Sequence, residues 1–187
     1  MSEPRKKIKK YNLYYLLYLS FESEQAIRKT LEKDCDIKPE FIQRGLHLTL
    51  YHSRRPLDNL KNKTSFLEIK SNTEETRFMV LAPGGENPRP NIDPASHGVG
   101  IRLTKRNVAI KRILKLRRDV YKLEPKFNNR ENTTAWTNAY GARHFQPHIK
   151  LIRAGSGVDS DLTILGKTFR EKIKNLEFSK AQFKIYT

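Results

Sequence analysis

Gly45-Leu46-His47-Leu48-Thr49-Leu50-Tyr51 is the stretch on which the reading of this chain turns. Apolar and polar residues alternate along it with period two, the pattern of a β-strand whose successive side chains point to opposite faces. Leu48 and Leu50 then share one face, and His47 and Thr49 share the other. A second stretch, Phe145-Gln146-Pro147-His148-Ile149-Lys150-Leu151, repeats the arrangement. Ile149 and Leu151 take one face there, and His148 and Lys150 the other. Each strand can bury its aliphatic side and still offer a histidine and a phosphate-capable group to a cleft. One such strand is weak evidence, because a lone strand histidine is more often packed or solvated. Two, one in each half of the chain, form a pattern.

Paired imidazoles suit in-line displacement at phosphorus. One takes a proton from the attacking hydroxyl while the other gives one to the leaving oxygen, and histidine titrates near neutral pH. The Thr49 hydroxyl and the Lys150 ammonium can hold non-bridging phosphate oxygens and stabilise developing charge. His52 stands an odd number of positions from His47, so a regular strand puts it on the opposite face in a structural role. His144 and His148 have the i, i+4 spacing of helical zinc sites. Pro147 intervenes, however, the segment reads as extended, and no acidic ligand is near. No metal and no other cofactor is expected.

Outward from these two strands, Tyr14 to Phe21 reads as a buried strand and Glu22 to Asp34 as a helix, with Pro39 beyond its end. Pro56 to Lys61 reads as a turn or short helix, and Phe66 to Ile69, Arg77 to Leu81 and Val99 to Leu103 as strands. A proline-rich loop spans Pro83 to Pro94. Val108 to Leu123 shows helical spacing, with Lys111, Arg112, Lys115, Arg117 and Arg118 expected on its exposed face. A polar stretch from Asn128 to Arg143 contains Trp136 and Tyr140. Thr168 to Ile173 reads as a short helix, and Phe178 to Tyr186 as one strand or a hairpin. This order is α+β, with two comparable halves in one domain, 1–187, and a basic N-terminal extension, 1–10. No GxGxxG or GxxxxGK[ST] loop is present, which argues against Rossmann and P-loop enzymes.

Thirty-seven basic and twenty acidic side chains among 187 residues give a net charge of +17. So basic a surface concentrates anions, and the ligands it suits are RNA, nucleotides or an anionic membrane face. Because the basic residues are spread over the whole chain, RNA or small oligonucleotides are the expected partners. A single cysteine, Cys35, excludes a disulfide-stapled scaffold and cysteine-rich zinc modules. The basic residues before Leu13 to Leu19 imitate a signal peptide, but the apolar run is too short to span a bilayer and no small-x-small cleavage site follows it. A first strand, no membrane partner and a cytoplasmic location, with the nucleus as alternative, are expected.

With these residues in view, the chain resembles the 2H phosphoesterases, named for two His-x-Thr/Ser-x motifs on strands of a pseudo-symmetric, two-lobed α+β fold. Members include RNA 2′,3′-cyclic phosphodiesterases, 2′-5′ RNA ligase-like proteins and enzymes that cleave 2′-5′ oligoadenylates or cyclic oligonucleotides. The resemblance covers most of the chain, including the helix after the first strand and Pro147 before the second motif. It implies antiparallel sheets around a central cleft with helices outside, and a monomeric, metal-independent phosphodiesterase. It also implies catalytic roles for His47 and His148 and a substrate contact for Thr49. Lys150 stands where the family places Thr or Ser, and is expected to contact phosphate. Tyr51, Trp136 and Tyr140 complete the expected substrate contacts, the last two as stacking platforms for bases, with core packing or loop anchoring as the alternative role. The competing reading is a non-catalytic RNA- or nucleotide-binding domain that keeps the cleft.

Overall fold

The computed structural model describes residues 12–53, 57, 63–81, 97–123, 145–159 and 161–186. The basic segment 1–10, most of the turn at Pro56 to Lys61, the loop Pro83 to Pro94, His144, Trp136 and Tyr140 lie outside the described residues. Seven strands and three α-helices follow in the order β1 (Asn12–Leu19), α1 (Phe21–Lys33), β2 (His47–Ser53), β3 (Thr64–Asn72), β4 (Thr76–Leu81), β5 (Gly98–Leu103), α2 (Ile110–Tyr121), β6 (His148–Ile152), α3 (Thr163–Lys172) and β7 (Asn175–Tyr186). The protein is α+β. No described helix is long and apolar enough to cross a membrane.

All seven strands join one antiparallel sheet in the order β3-β7-β1-β2-β6-β5-β4, where the sequence suggested more than one sheet. The two motif strands, β2 and β6, are neighbours near its middle. They meet through a single registered pair, Leu48 with Ile149. One face of the sheet is apolar: Leu13, Leu17, Leu48, Ile101, Ile149, Phe178 and Ala181 are buried there. Ile27 and Leu31 of α1, Ile113 and Val120 of α2 and Phe169 of α3 belong to the same core. Each fully buried Leu, Ile or Phe of this kind contributes about 1.5–3 kcal/mol. The helices thus cover one face and leave the motif histidines on the other.

Local chemistry sets the element ends. Ser20 ends β1 because its hydroxyl accepts the Ser23 amide (3.2 Å) as the N-cap of α1, and Glu22 and Glu24 occupy the first turn. α3 begins earlier than the expected Thr168 and runs through Gly166. A Cβ there would lie 3.2 Å from the Phe78 ring, so this glycine allows close helix–sheet contact and is no break. β7 is one continuous strand between β1 and β3, which decides between strand and hairpin.

The basic face expected on α2 holds for Lys111, Arg112, Lys115 and Arg118, but not for Arg117. Arg117 is buried. Its guanidinium donates to the Leu50 carbonyl and to the Tyr121 hydroxyl (2.7 Å). It also lies over the Phe145 ring at 4.0 Å. With Ile113 and Val120 at i−4 and i+3, Arg117 falls on the buried stripe of the helix and clamps α2 to β2.

Candidate active site

The turn that feeds β2 is fixed from two directions. Gly45 adopts φ +61°, a conformation glycine takes without steric cost. Glu24, from the first turn of α1, accepts the Gly45 amide (2.9 Å) and the Leu46 amide (3.2 Å) on its two carboxylate oxygens. Leu46 is fully buried, so His47 enters the strand with its ring directed by both neighbours.

The His47 Nδ1 lies 2.7 Å from the Gly45 carbonyl oxygen, and the His148 Nδ1 lies 2.8 Å from the Gln146 carbonyl oxygen. In both motifs the partner is the carbonyl two residues earlier. A ring nitrogen that faces a carbonyl must donate to it, so Nδ1 carries a proton in each case. The Nε2 atoms are left to exchange protons with a ligand.

Both motif strands are also irregular three residues after the histidine. Leu16 pairs with Thr49 and Tyr15 with Tyr51, which leaves Leu50 as the extra residue of β2. Gly100 pairs with Lys150 and Val99 with Ile152, which leaves Leu151 as the extra residue of β6. A β-bulge frees the backbone groups of the extra residue from the ladder. The Leu50 carbonyl receives Arg117, and the Leu151 carbonyl accepts the Gln43 amide at 2.8 Å.

The bulge in β2 resets strand parity. His52 pairs with Tyr14, on the face that carries Thr49 and His47, and not on the opposite face as a regular strand requires. Its ring stacks on Tyr14 with centroids 4.1 Å apart, and its Nε2 lies 3.3 Å from Asn12 Oδ1. Tyr51 is 1% exposed and meets Tyr121 of α2 edge to face, so it belongs to the core and cannot touch a substrate on the open face.

One residue to either side of the Leu48–Ile149 pair, the antiparallel register sets His47 beside Lys150 and Thr49 beside His148. His47 and Thr49 are half-buried, whereas His148 and Lys150 are exposed. Gly98, on the neighbouring strand, makes room for the lysine: a Cβ there would come within 3.2 Å of Lys150 Cε. The pKa of His47 is lowered, chiefly by burial and further by the charges of Lys184 and His148. The Gly45 carbonyl and Glu24 act in the other direction. On the far side of His47 stands Tyr18, with ring centroids 5.4 Å apart. The Lys180 and Lys184 ammonium groups lie 4.7 and 5.2 Å from the Tyr18 ring centroid. A hydrogen bond to Tyr18 holds the Lys184 pKa above its usual value.

No protein-family model matches this chain, and no curated protein matches it.

Two imidazoles whose Nε2 atoms have no hydrogen-bond partner among the described residues can serve as proton acceptor and proton donor, with the Thr49 hydroxyl and the Lys150 ammonium on the same face and the Lys184 ammonium acting on His47. Among the described residues no three His, Cys, Asp or Glu side chains come together as a metal site. Tyr18, Lys180, Lys184 and His52 are members of this face that the sequence reading missed. For Tyr18 the available signal was the alternation of Tyr14, Leu16 and Tyr18 along β1. The lysines of β7 needed the strand pairing, and His52 needed the bulge.

Proposed function

We propose that this chain is a 2H-type phosphodiesterase with a two-lobed, pseudo-symmetric plan, the two motif strands lying side by side between the lobes. Its substrates are RNA 2′,3′-cyclic phosphate ends or 2′-5′-linked or cyclic oligonucleotides. The observation that carries the reading is the equivalence of the motifs. Each has a histidine whose Nδ1 is held by the carbonyl two residues earlier and a bulge three residues later, and both histidines stand on one open face.

His47 acts as general base, because burial and neighbouring positive charge keep its Nε2 unprotonated near neutral pH. It accepts the proton of the attacking water or ribose hydroxyl as the new P–O bond forms. His148 gives a proton to the departing oxygen as the old P–O bond breaks. Thr49 holds a non-bridging oxygen, where negative charge grows in the transition state, and Lys150 attracts the phosphate in the ground state and the transition state alike. The protein works as a monomer in the cytoplasm, with no metal in the proton transfers.

Lys150 in the Thr/Ser position favours a second reading, a nucleotide-binding domain that keeps the cleft and uses the ammonium for affinity. Incubation with 2′,3′-cyclic nucleotides, 2′-5′ and 3′-5′ oligoadenylates and cyclic dinucleotides, followed by chromatography of the products, separates the two. Cleavage of at least one substrate, lost in His47→Ala, supports the enzyme. Binding without cleavage across the panel supports the second reading.

A further inference from the structure

Two arginines face each other beside the second motif. The register of β4 and β5 pairs Arg77 directly with Arg102, and that of β5 and β6 pairs Arg102 directly with His148. The three side chains therefore leave one face in a row across adjacent strands. Like charges directly opposite each other on a sheet are destabilising. A carboxylate beside them would remove that cost, yet among the described residues neither guanidinium has an ion-pair partner. Two acidic side chains, Glu74 and Glu75, line the same cavity, but among the described residues neither forms an ion pair with either arginine, and the Glu75 carboxylate accepts the Thr104 hydroxyl at 2.7 Å. The cavity measures about 840 Å³ and is also lined by Lys105, Arg106 and Gln146, whose carbonyl holds the His148 ring.

The geometry points to a second anion subsite at Arg77 and Arg102, which takes a phosphate of the substrate other than the scissile one. This inference rests on the phosphodiesterase reading and narrows it. The preferred substrate is an oligonucleotide with at least two phosphates, and not a mononucleoside cyclic phosphate. Paired guanidinium groups suit this task, because their planar donors match phosphate oxygens and they stay charged at any physiological pH. Their place in the row puts the second phosphate roughly 5–10 Å from His148, one to two strand spacings away.

Calorimetric titration with adenosine 3′,5′-bisphosphate and with adenosine 5′-monophosphate tests this without any need for turnover. The wild-type protein should bind the bisphosphate at least tenfold more tightly, about the effect of one charge-assisted contact. Arg77→Gln/Arg102→Gln should erase that preference and melt no lower than wild type, since it relieves a repulsion. A bisphosphate that binds no better than the monophosphate, or not at all, overturns the subsite. So does a preference that survives the double substitution. An inert cleavage panel with the arginine-dependent preference intact would overturn the enzymatic reading and leave the subsite standing.

Discussion

Leu48 of β2 pairs with Ile149 of β6, and this one contact fixes how far apart His47 and His148 stand. Both aliphatic side chains are fully buried, so the pair is anchored in the core. A slip of one residue would turn every side chain of a motif strand to the other face. The position of the histidines is thus a property of the sheet and not of a loop.

If the two imidazoles divide the proton transfers, His47→Ala and His148→Ala should each lower turnover at least about 10²-fold, the scale of general acid–base contributions. Neither residue packs in the core, so circular dichroism and melting should match wild type. Chelators should leave the rate unchanged. Near-normal turnover in either folded variant would sink the two-histidine mechanism.

The pH profile should respond to the charges around His47. Lys184 lowers its pKa and Glu24 raises it. Removal of the cation in Lys184→Gln lets the imidazole protonate more easily, so the acid limb of kcat/KM should move to higher pH. Glu24→Gln removes a stabilising anion, and the limb should move to lower pH. NMR titration of the His47 ring checks the same two signs directly. Shifts of like sign in both variants would contradict His47 as the base.

Arg117 offers a stability test that is separate from chemistry. Arg117→Met leaves the Leu50 carbonyl in the β2 bulge without its buried donor. Loss of a hydrogen bond from a charged group, with a carbonyl left unsatisfied, costs about 1.5–3 kcal/mol. Urea denaturation should show a loss of that size. The ordinary scatter of surface substitutions, within about 0.5 kcal/mol, would mean that the clamp carries no weight.

The alternation around His47 and His148 was legible because period two is a local property of the chain. So were most of the elements, since each buries a continuous apolar stripe. Arg117 was legible in principle: its spacing from Ile113 and Val120 is that of the buried stripe, and its charge alone suggested exposure. His52 was not legible, because its face depends on the bulge at Leu50. That bulge is sustained by a guanidinium 67 positions along the chain. Nor could local pattern place Arg77, Arg102, Lys180 and Lys184 beside the motifs, since cross-strand pairing sets their neighbours.

Lys150 is where ground-state binding and chemistry should separate. Its side chain leaves the face that carries His148, and its stem passes over Gly98. The ammonium is a flexible point charge, which attracts phosphate in the ground state as well as in the transition state. An interaction of equal strength in both states lowers KM without raising kcat. Lys150→Ala should therefore raise KM about tenfold, equivalent to ~1.4 kcal/mol, with little change in kcat. Lys150→Thr supplies a short directional hydroxyl in its place. It should show the same loss of affinity but an equal or higher kcat, if the hydroxyl reaches the oxygen where charge develops. Gly98→Ala provides a steric counterpart, because its Cβ would meet the Ile152 carbonyl oxygen at 2.9 Å and Lys150 Cε at 3.2 Å. It should weaken binding in the wild-type background and have a smaller effect when Lys150 is already alanine. Steady-state kinetics on wild type and the four variants, with melting curves to confirm folding, give the comparison. Wild-type KM in both Lys150 variants would show that the lysine is solvated and takes no part in the site.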